Sequence, residues 1–501
     1  MKISITNRIT LIILLVGFLI RIPLIPISLN CENDNWRQTD TASIAHHFLI
    51  NGFKILYPQI YWGGGGPGYV ETEFQLYPFL VALLYAVFGE HTSLGRLVSC
   101  LFTFITIIIF YLFARLILKP REVLWALILF VLSPLLLRYS AAFMPEATVM
   151  CFYLGGLYFF TRWLREQRPA WLFLASISTA LAILVKPTAI HIGLLFLLLA
   201  VKQLGRGVFK NGRIWLAALF CLLPVVLYYW HARNVYLEYG NTFGILSGGD
   251  SKFGNLFYWT SPDFYIGVVG REAKWVFTPL AALVFLIGFV QALKRRQYLL
   301  IYGVITIGLY FFILARFSGY QRGIQYHIYM IPYAAIGFGI GVESLLKLNS
   351  RFLGRLMALA AILSVMAWTG VLYSKMVNPP EPKSLISCAN QIQKLIPSNA
   401  YMIVSSYDYS VDIDAPSISN NYQEPMLFFY SQRYGWSLPA DWLKPDTLEK
   451  LRKEGAGYYV VLDRDKDLLY SHPEVLDYLK TEAKILDSGI EEGCDIYRFN
   501  Q

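Results

Sequence analysis

Between two apolar stretches near the start of the chain lies the run Glu32-Asn33-Asp34-Asn35-Trp36-Arg37-Gln38-Thr39-Asp40-Thr41. It sets Asp34 and Asp40 on either side of a tryptophan and an arginine. Glu71 and Glu73 follow in the same polar segment, and Glu146 comes after Pro145 where a later apolar stretch begins. A positioned carboxylate can take the proton of a hydroxyl as that oxygen attacks. The cations Arg96, Lys186, Arg322 and His327 fall at ends of apolar stretches, beside Arg138, Arg271, Lys274 and Arg316. Groups of this kind hold phosphate and stabilise it as it departs. The pairing fits transfer to a hydroxyl with a phosphate as leaving group.

Each residue also has a structural reading. Asp40, or Thr39, can cap a helix; Glu146 suits the positive end of a helix that opens after Pro145; Lys186 and Arg316 can anchor at a membrane interface. Neither cysteine nor histidine spacing suggests a zinc site. The run Gly63-Gly64-Gly65-Gly66-Pro67-Gly68 lacks the Lys and Ser/Thr of a phosphate-binding loop and reads as a flexible connector.

The elements that must position these residues lie in a membrane. Of 501 residues 56% are hydrophobic and only 15% charged, and mean hydropathy is +0.47, outside the range of soluble domains. The net charge of +10 is explained by basic residues at the ends of apolar stretches, without a nucleic-acid partner. Stretches able to cross the hydrocarbon core lie near 9–29, 94–118, 122–139, 146–163, 170–186, 188–203, 212–231, 275–293, 298–315, 328–347 and 354–376. That makes roughly eleven spans. Lys and Arg gather in alternate loops: Arg115, Lys119 and Arg121; Arg162, Arg165 and Arg168; Lys202, Arg206, Lys210 and Arg213; Lys294, Arg295 and Arg296; Lys347, Arg351 and Arg355. This puts the N-terminus in the cytoplasm and exports loops 30–93, 140–146, 232–274 and 316–327 with everything after about residue 377. Residues 1–377 therefore read as a transmembrane catalytic domain and 378–501 as an extracytoplasmic one.

Within the first exported loop, Ile44, Phe48 and Leu49 recur at helical spacing from Thr39 onward, which predicts an amphipathic helix at the membrane surface with Asp40 at its start. The exported aromatics Tyr57, Tyr61, Trp62, Tyr69, Tyr77, Tyr258 and Trp259 read mainly as an interfacial belt. In the tail, 401–405, 457–462 and 496–499 read as strands and 446–453 as a helix, a small α/β domain. Of six cysteines, Cys100, Cys151 and Cys221 fall in spans; Cys31, Cys388 and Cys494 fall outside. A Cys388–Cys494 bridge across the tail is open to a chain that is exported.

The Trp36-Arg37-Gln38-Thr39-Asp40-Thr41 run with Ile44-Ala45 resembles the Trp-Arg-Gln-x-Asp-Thr signature of bacterial GT-C glycosyltransferases of the protein O-mannosyltransferase and aminoarabinose transferase superfamily. Glu73-Phe74-Gln75-Leu76-Tyr77-Pro78 with Leu83-Leu84-Tyr85 and Phe88-Gly89 resembles the next segment, and Gly95-Arg96-Leu97-Val98-Ser99 the one after. Met144-Pro145-Glu146 and His327-Ile328-Tyr329 with Pro332 resemble two further ones. The family's paired acids at the start of the loop have no literal match, so Asp34 and Asp40 both stand as the base.

The resemblance implies a polytopic α-helical fold of GT-C type and an inverting transfer of a sugar from a polyprenyl-phosphate carrier to a hydroxyl on the extracytoplasmic face. Asp40 or Asp34 would be the base, with Glu146 orienting base or acceptor. Arg322, His327, Arg96 and Lys186 would hold the donor phosphate, and Glu73, Trp36 and Arg37 would contact acceptor or sugar. The acceptor, whether lipid, polysaccharide or protein, is left open. A divalent metal between carboxylates and phosphate is chemically reasonable, and the residues do not decide it. A transporter or flippase would call for inverted repeats, broken helices and ionisable groups mid-span, none of which is visible. An O-antigen polymerase or ligase would call for a large late exported loop, for which 316–327 is short.

Overall fold

The computed structural model describes residues 5–29, 35–248, 252–320, 323–380, 383–411, 421–488 and 493–500. Asp34 and Arg322 lie outside them. The chain divides into two compact units, one of residues 1–27, 93–228 and 252–378, the other of residues 28–92, 229–251 and 379–501.

The first unit is helical. Each expected apolar stretch is helical over most of its length. Among the described residues five helices are singly long and apolar enough to cross a membrane: Thr92–Ile117, Pro187–Lys210, Gly212–Tyr239, Ile324–Leu345 and Arg351–Val377. Two bent pairs bring the number to seven if each is one span: Pro120–Leu132 with Pro134–Ser140 at 54°, and Pro262–Phe277 with Pro279–Lys294 at 97°. Broken helices, expected to be missing, are therefore present. Their cause is in the sequence, because Pro134 and Pro279 lack the N–H that would continue the preceding turn.

Helices in this unit approach closely where side chains vanish. A Cβ on Gly288 would lie 1.8 Å from the Gly337 carbonyl oxygen, so glycine lets the Pro279–Lys294 and Ile331–Leu345 helices meet backbone to backbone.

The second unit is a mixed sheet with helices. Strands β1 (Val70–Glu71) and β2 (Asn241–Thr242) form a short parallel pair. Strands β3 (Tyr401–Ser405), β4 (Tyr434–Leu438), β5 (Ala456–Leu462), β6 (Ala483–Ser488) and β7 (Cys494–Phe499) form a five-stranded sheet in the order β4-β3-β5-β7-β6. β3 runs parallel to β4 and β5, and β7 antiparallel to β5 and β6. The predicted helix at 446–453 is Pro445–Lys453.

Alternation along β3 and β5 sends side chains to two cores. Met402, Val404, Tyr458 and Val460 share one with Ile44, Phe48, Ile60, Trp62 and Phe243. Ile403, Tyr459 and Val461 share the other with Leu448, Leu469 and Val475. Cys388 and Cys494 are joined in a disulfide across 106 residues, tying the Lys383–Leu395 helix to β7.

Two sequence expectations fail in this unit. The loop helix, Asn35–Ile50, is not amphipathic, for residues Gln38 to Ala45 are buried in succession, polar and apolar alike. Its polar side chains are enclosed by other parts of the unit, which periodicity cannot register. The glycine run is not a free connector either. Gly64 N–H donates to the Gly435 carbonyl at 2.8 Å and Gly435 N–H to the Tyr61 carbonyl at 3.1 Å, and Gly63 bridges Trp436 in antiparallel fashion. The run covers the edge of β4, satisfying backbone groups an edge strand would expose.

Candidate active site

Asp40 stands in the second turn of the Asn35–Ile50 helix, so it is not a cap; the Thr39 hydroxyl donates back to the Asn35 and Trp36 carbonyls. Its carboxylate is 0% exposed. Oδ1 accepts a 2.9 Å hydrogen bond from the Trp62 indole, and Oδ2 has no hydrogen-bond partner among the described residues. Trp62 is thus buried against Asp40 and does not stand in an interfacial belt. Burial pushes the Asp40 carboxyl up to about 7, against the opposing effects of the Trp62 bond and the Arg37 charge. A carboxylate in that range is suited to accept a proton near neutral pH.

Around Asp40 in the same unit, Arg37 pairs with Glu73 and lies 4.6 Å above the Phe243 ring. Glu73 accepts a further bond from the Thr72 hydroxyl at 2.8 Å. The Trp36 indole donates to the Gln423 carbonyl. Glu71 is buried, held by the Thr242 hydroxyl at 2.6 Å and the Leu246 N–H at 3.0 Å, and burial raises its carboxyl. Those bonds fix the β1–β2 pair.

The remaining candidates belong to the helical unit. Glu146 opens the Glu146–Glu166 helix, buried, with Oε1 paired to Lys186 and Oε2 without a partner among the described residues. Lys186 sits at a helix break that Pro187 enforces, and its ammonium lies 5.2 Å from the Tyr326 ring centre. Arg96 is buried and donates to the Ala141 carbonyl at 2.9 Å. With Ser99, which donates to the Ala142 carbonyl at 2.6 Å, it braces the turn leading into Glu146. His327 is buried between Glu272, 2.7 Å from Nδ1, and the Ser318 carbonyl, 3.0 Å from Nε2.

Sequence reasoning missed several polar neighbours. Glu272 stood between Arg271 and Lys274, read only as cations. The His191 Nδ1–H donates to the Thr188 carbonyl at 2.6 Å, which leaves Nε2 to accept from Tyr153 at 3.2 Å. Tyr153 also meets Tyr333 at 2.9 Å, and Thr188 meets Tyr329 at 3.2 Å. The break at Lys186-Pro187 and the His327-Ile328-Tyr329 segment were the signals for this network. Among the described residues no group of three or more His, Cys, Asp or Glu side chains is arranged to hold a metal ion.

Residues 75–230 match the family model described as dolichyl-phosphate-mannose-protein mannosyltransferase. No curated protein sequence matches the chain. By shape it resembles the crystal structure of ArnT from Cupriavidus metallidurans in the apo state, with TM-score 0.65 and 14% identity over 99% of this chain and 98% of that one. The undecaprenyl phosphate-bound form of ArnT gives 0.61 at 14% identity over the same shares. The archaeal oligosaccharyltransferase AglB from Archaeoglobus fulgidus, in complex with an inhibitory peptide and a dolichol-phosphate, gives 0.57 at 14% identity, over 98% of this chain and 74% of that one.

Proposed function

We propose that this chain, a multi-pass membrane protein with the GT-C fold shared by those structures, is a glycosyltransferase that takes its sugar from a polyprenyl-phosphate carrier. The acceptor hydroxyl oxygen bonds to the anomeric carbon while the bond from that carbon to the phosphate oxygen breaks. The carrier leaves as its phosphate, and the hydroxyl proton passes to a carboxylate. One displacement of this kind inverts the anomeric centre.

The observation that carries the reading is Asp40, a buried carboxylate with one oxygen fixed by Trp62 and the other unbonded. Asp34 is the other acid proposed in that place. A departing phosphate needs cations, and those proposed for it are Arg322, His327, Lys186 and Arg96. Arg96 also braces the turn before Glu146. Glu146 holds Lys186. Glu73 and Arg37 form the acceptor or sugar contact with Trp36. The lipid phosphates bound by ArnT and AglB support a polyprenyl-phosphate donor.

The alternation of basic loops supports an inner membrane of bacterial type, with the N-terminus in the cytoplasm and the tail outside. The Cys388–Cys494 disulfide agrees with an exported tail. The test is donor consumption by purified protein in lipid, over a panel of synthetic polyprenyl-phosphate sugars with crude envelope acceptors. Consumption of at least one donor is expected; none across the panel overturns the reading.

A further inference from the structure

Four hydrogen bonds and one β-bridge run from the tail onto the segment that carries Asp40. The Gln423 carbonyl takes the Trp36 indole N–H, one turn before Asp40 on its helix. Tyr434, the first residue of β4, lies 3.0 Å from Nε2 of His47. His47 Nδ1 lies 2.7 Å from the Ser43 carbonyl, so Nε2 is the acceptor and the tyrosine the donor. Gly435 exchanges backbone hydrogen bonds with Tyr61 and Gly64, and Gly63 bridges Trp436. Trp62, whose indole holds Asp40, lies between those two anchors. A Cβ on Gly64 would lie 2.7 Å from the Trp436 indole nitrogen, so the approach needs glycine there.

Beside these contacts is Glu424, 9% exposed. It is paired through one oxygen with Arg464, and its Oε1 has no hydrogen-bond partner among the described residues. Its backbone N–H is pinned by the Ser437 hydroxyl of β4 at 2.9 Å.

We propose that the tail segment from Gln423 to Trp436 positions the Asp40 base: it clamps Trp36, His47 and the Tyr61–Gly64 strap so that Trp62 holds one oxygen of Asp40, with Glu424 next in the chain to the residue that anchors Trp36. This rests on the reading of Asp40 as the base. Glu424 and Trp62 are positioning residues that act through Asp40 in opposite directions. The charges acting on Asp40 are Arg37 from its own helix, Glu73 after β1 and Glu424 from the tail; those acting on Glu424 are Arg464, Asp465 and Asp408. The Trp62 bond favours the ionised form of Asp40, and Glu424, itself raised to about 7 by burial, disfavours it to the extent that it is ionised in the same range.

The test titrates Asp40 in full-length protein in lipid by its labelling with N,N′-dicyclohexylcarbodiimide, which adds to protonated carboxyls, read by mass spectrometry of the 35–50 peptide. In wild type, half-labelling is expected near pH 7. Glu424→Gln moves it to lower pH and Trp62→Phe to higher pH, with the acid limb of sugar transfer moving alongside. Linkage of the Cys388 and Cys494 peptides checks that each variant has folded. A wild-type midpoint near 4, or two variants that leave it unmoved or move it the same way, overturns the proposal. Labelling reads Asp40 whether or not sugar is transferred. Opposite shifts without transfer therefore leave the clamp standing and remove the glycosyltransferase reading alone.

Discussion

The Trp62 indole donates a 2.9 Å hydrogen bond to Oδ1 of Asp40, and these residues come from different parts of one loop, the first from the segment strapped to β4 and the second from the buried Asn35–Ile50 helix. The bond orients the carboxylate while Oδ2 stays without a partner among the described residues. An oriented, desolvated carboxylate with one oxygen left unbonded is suited to accept a proton.

Because burial raises the Asp40 carboxyl to about 7, the group is protonated below that pH and ionised above it. Only the ionised form accepts a proton. The transfer rate at saturating donor is expected to rise through pH 7 and to fall on the acid side by about tenfold per unit. A rate unchanged from pH 5 to pH 8 contradicts this.

Lys186 neutralises a buried Glu146 whose second oxygen has no hydrogen-bond partner among the described residues. Lys186→Met leaves that carboxylate uncompensated and is expected to cost about 3–5 kcal/mol, seen as a lower Tm, with a raised donor KM. Adding Glu146→Gln returns much of the stability and none of the donor affinity. Recovery of both would make Lys186 purely structural.

His327 and Glu272 form a second buried pair. Each single change, His327→Ala or Glu272→Leu, strands a polar partner at about 1–3 kcal/mol. The double variant is expected to cost less than the sum, as it does for residues in contact. Additive losses in thermal unfolding would rule the coupling out.

The Cys388–Cys494 bridge closes a loop of 106 residues in sequence. Removing it with Cys388→Ser and Cys494→Ser is expected to cost about 2–5 kcal/mol of tail stability. In intact cells both thiols should resist a maleimide until reductant is added. Ready labelling of both without reductant would argue for a cytoplasmic tail.

Much of the frame was legible in the sequence because apolar length and strand alternation are local signals. The stretches at 212–231 and 354–376 lie in helices Gly212–Tyr239 and Arg351–Val377, that at 94–118 overlaps Thr92–Ile117 to within a residue, and the strand at 401–405 is β3. Asp40 stood out by its place in a resembling motif. Its surroundings did not, because they come from distant segments. Trp62 reaches it across 22 positions, and Trp36 meets Gln423 across 387. The buried polar face of Asn35–Ile50 defeats a reading by periodicity for the same reason, since what covers it is set by tertiary contact. Pro134 and Pro279 were visible, yet the bends they cause were not drawn from them.

The central claim, that Asp40 is the base of a lipid-phosphate-dependent sugar transfer, is tested most directly by single-turnover release of polyprenyl phosphate from a labelled donor. The comparison is wild type against Asp40→Asn and Asp34→Asn, each purified in lipid and checked for an unchanged Tm. Release by wild type and Asp34→Asn, with a loss of about 10²-fold or more in Asp40→Asn, is the predicted result. Release by Asp40→Asn at the wild-type rate would contradict it.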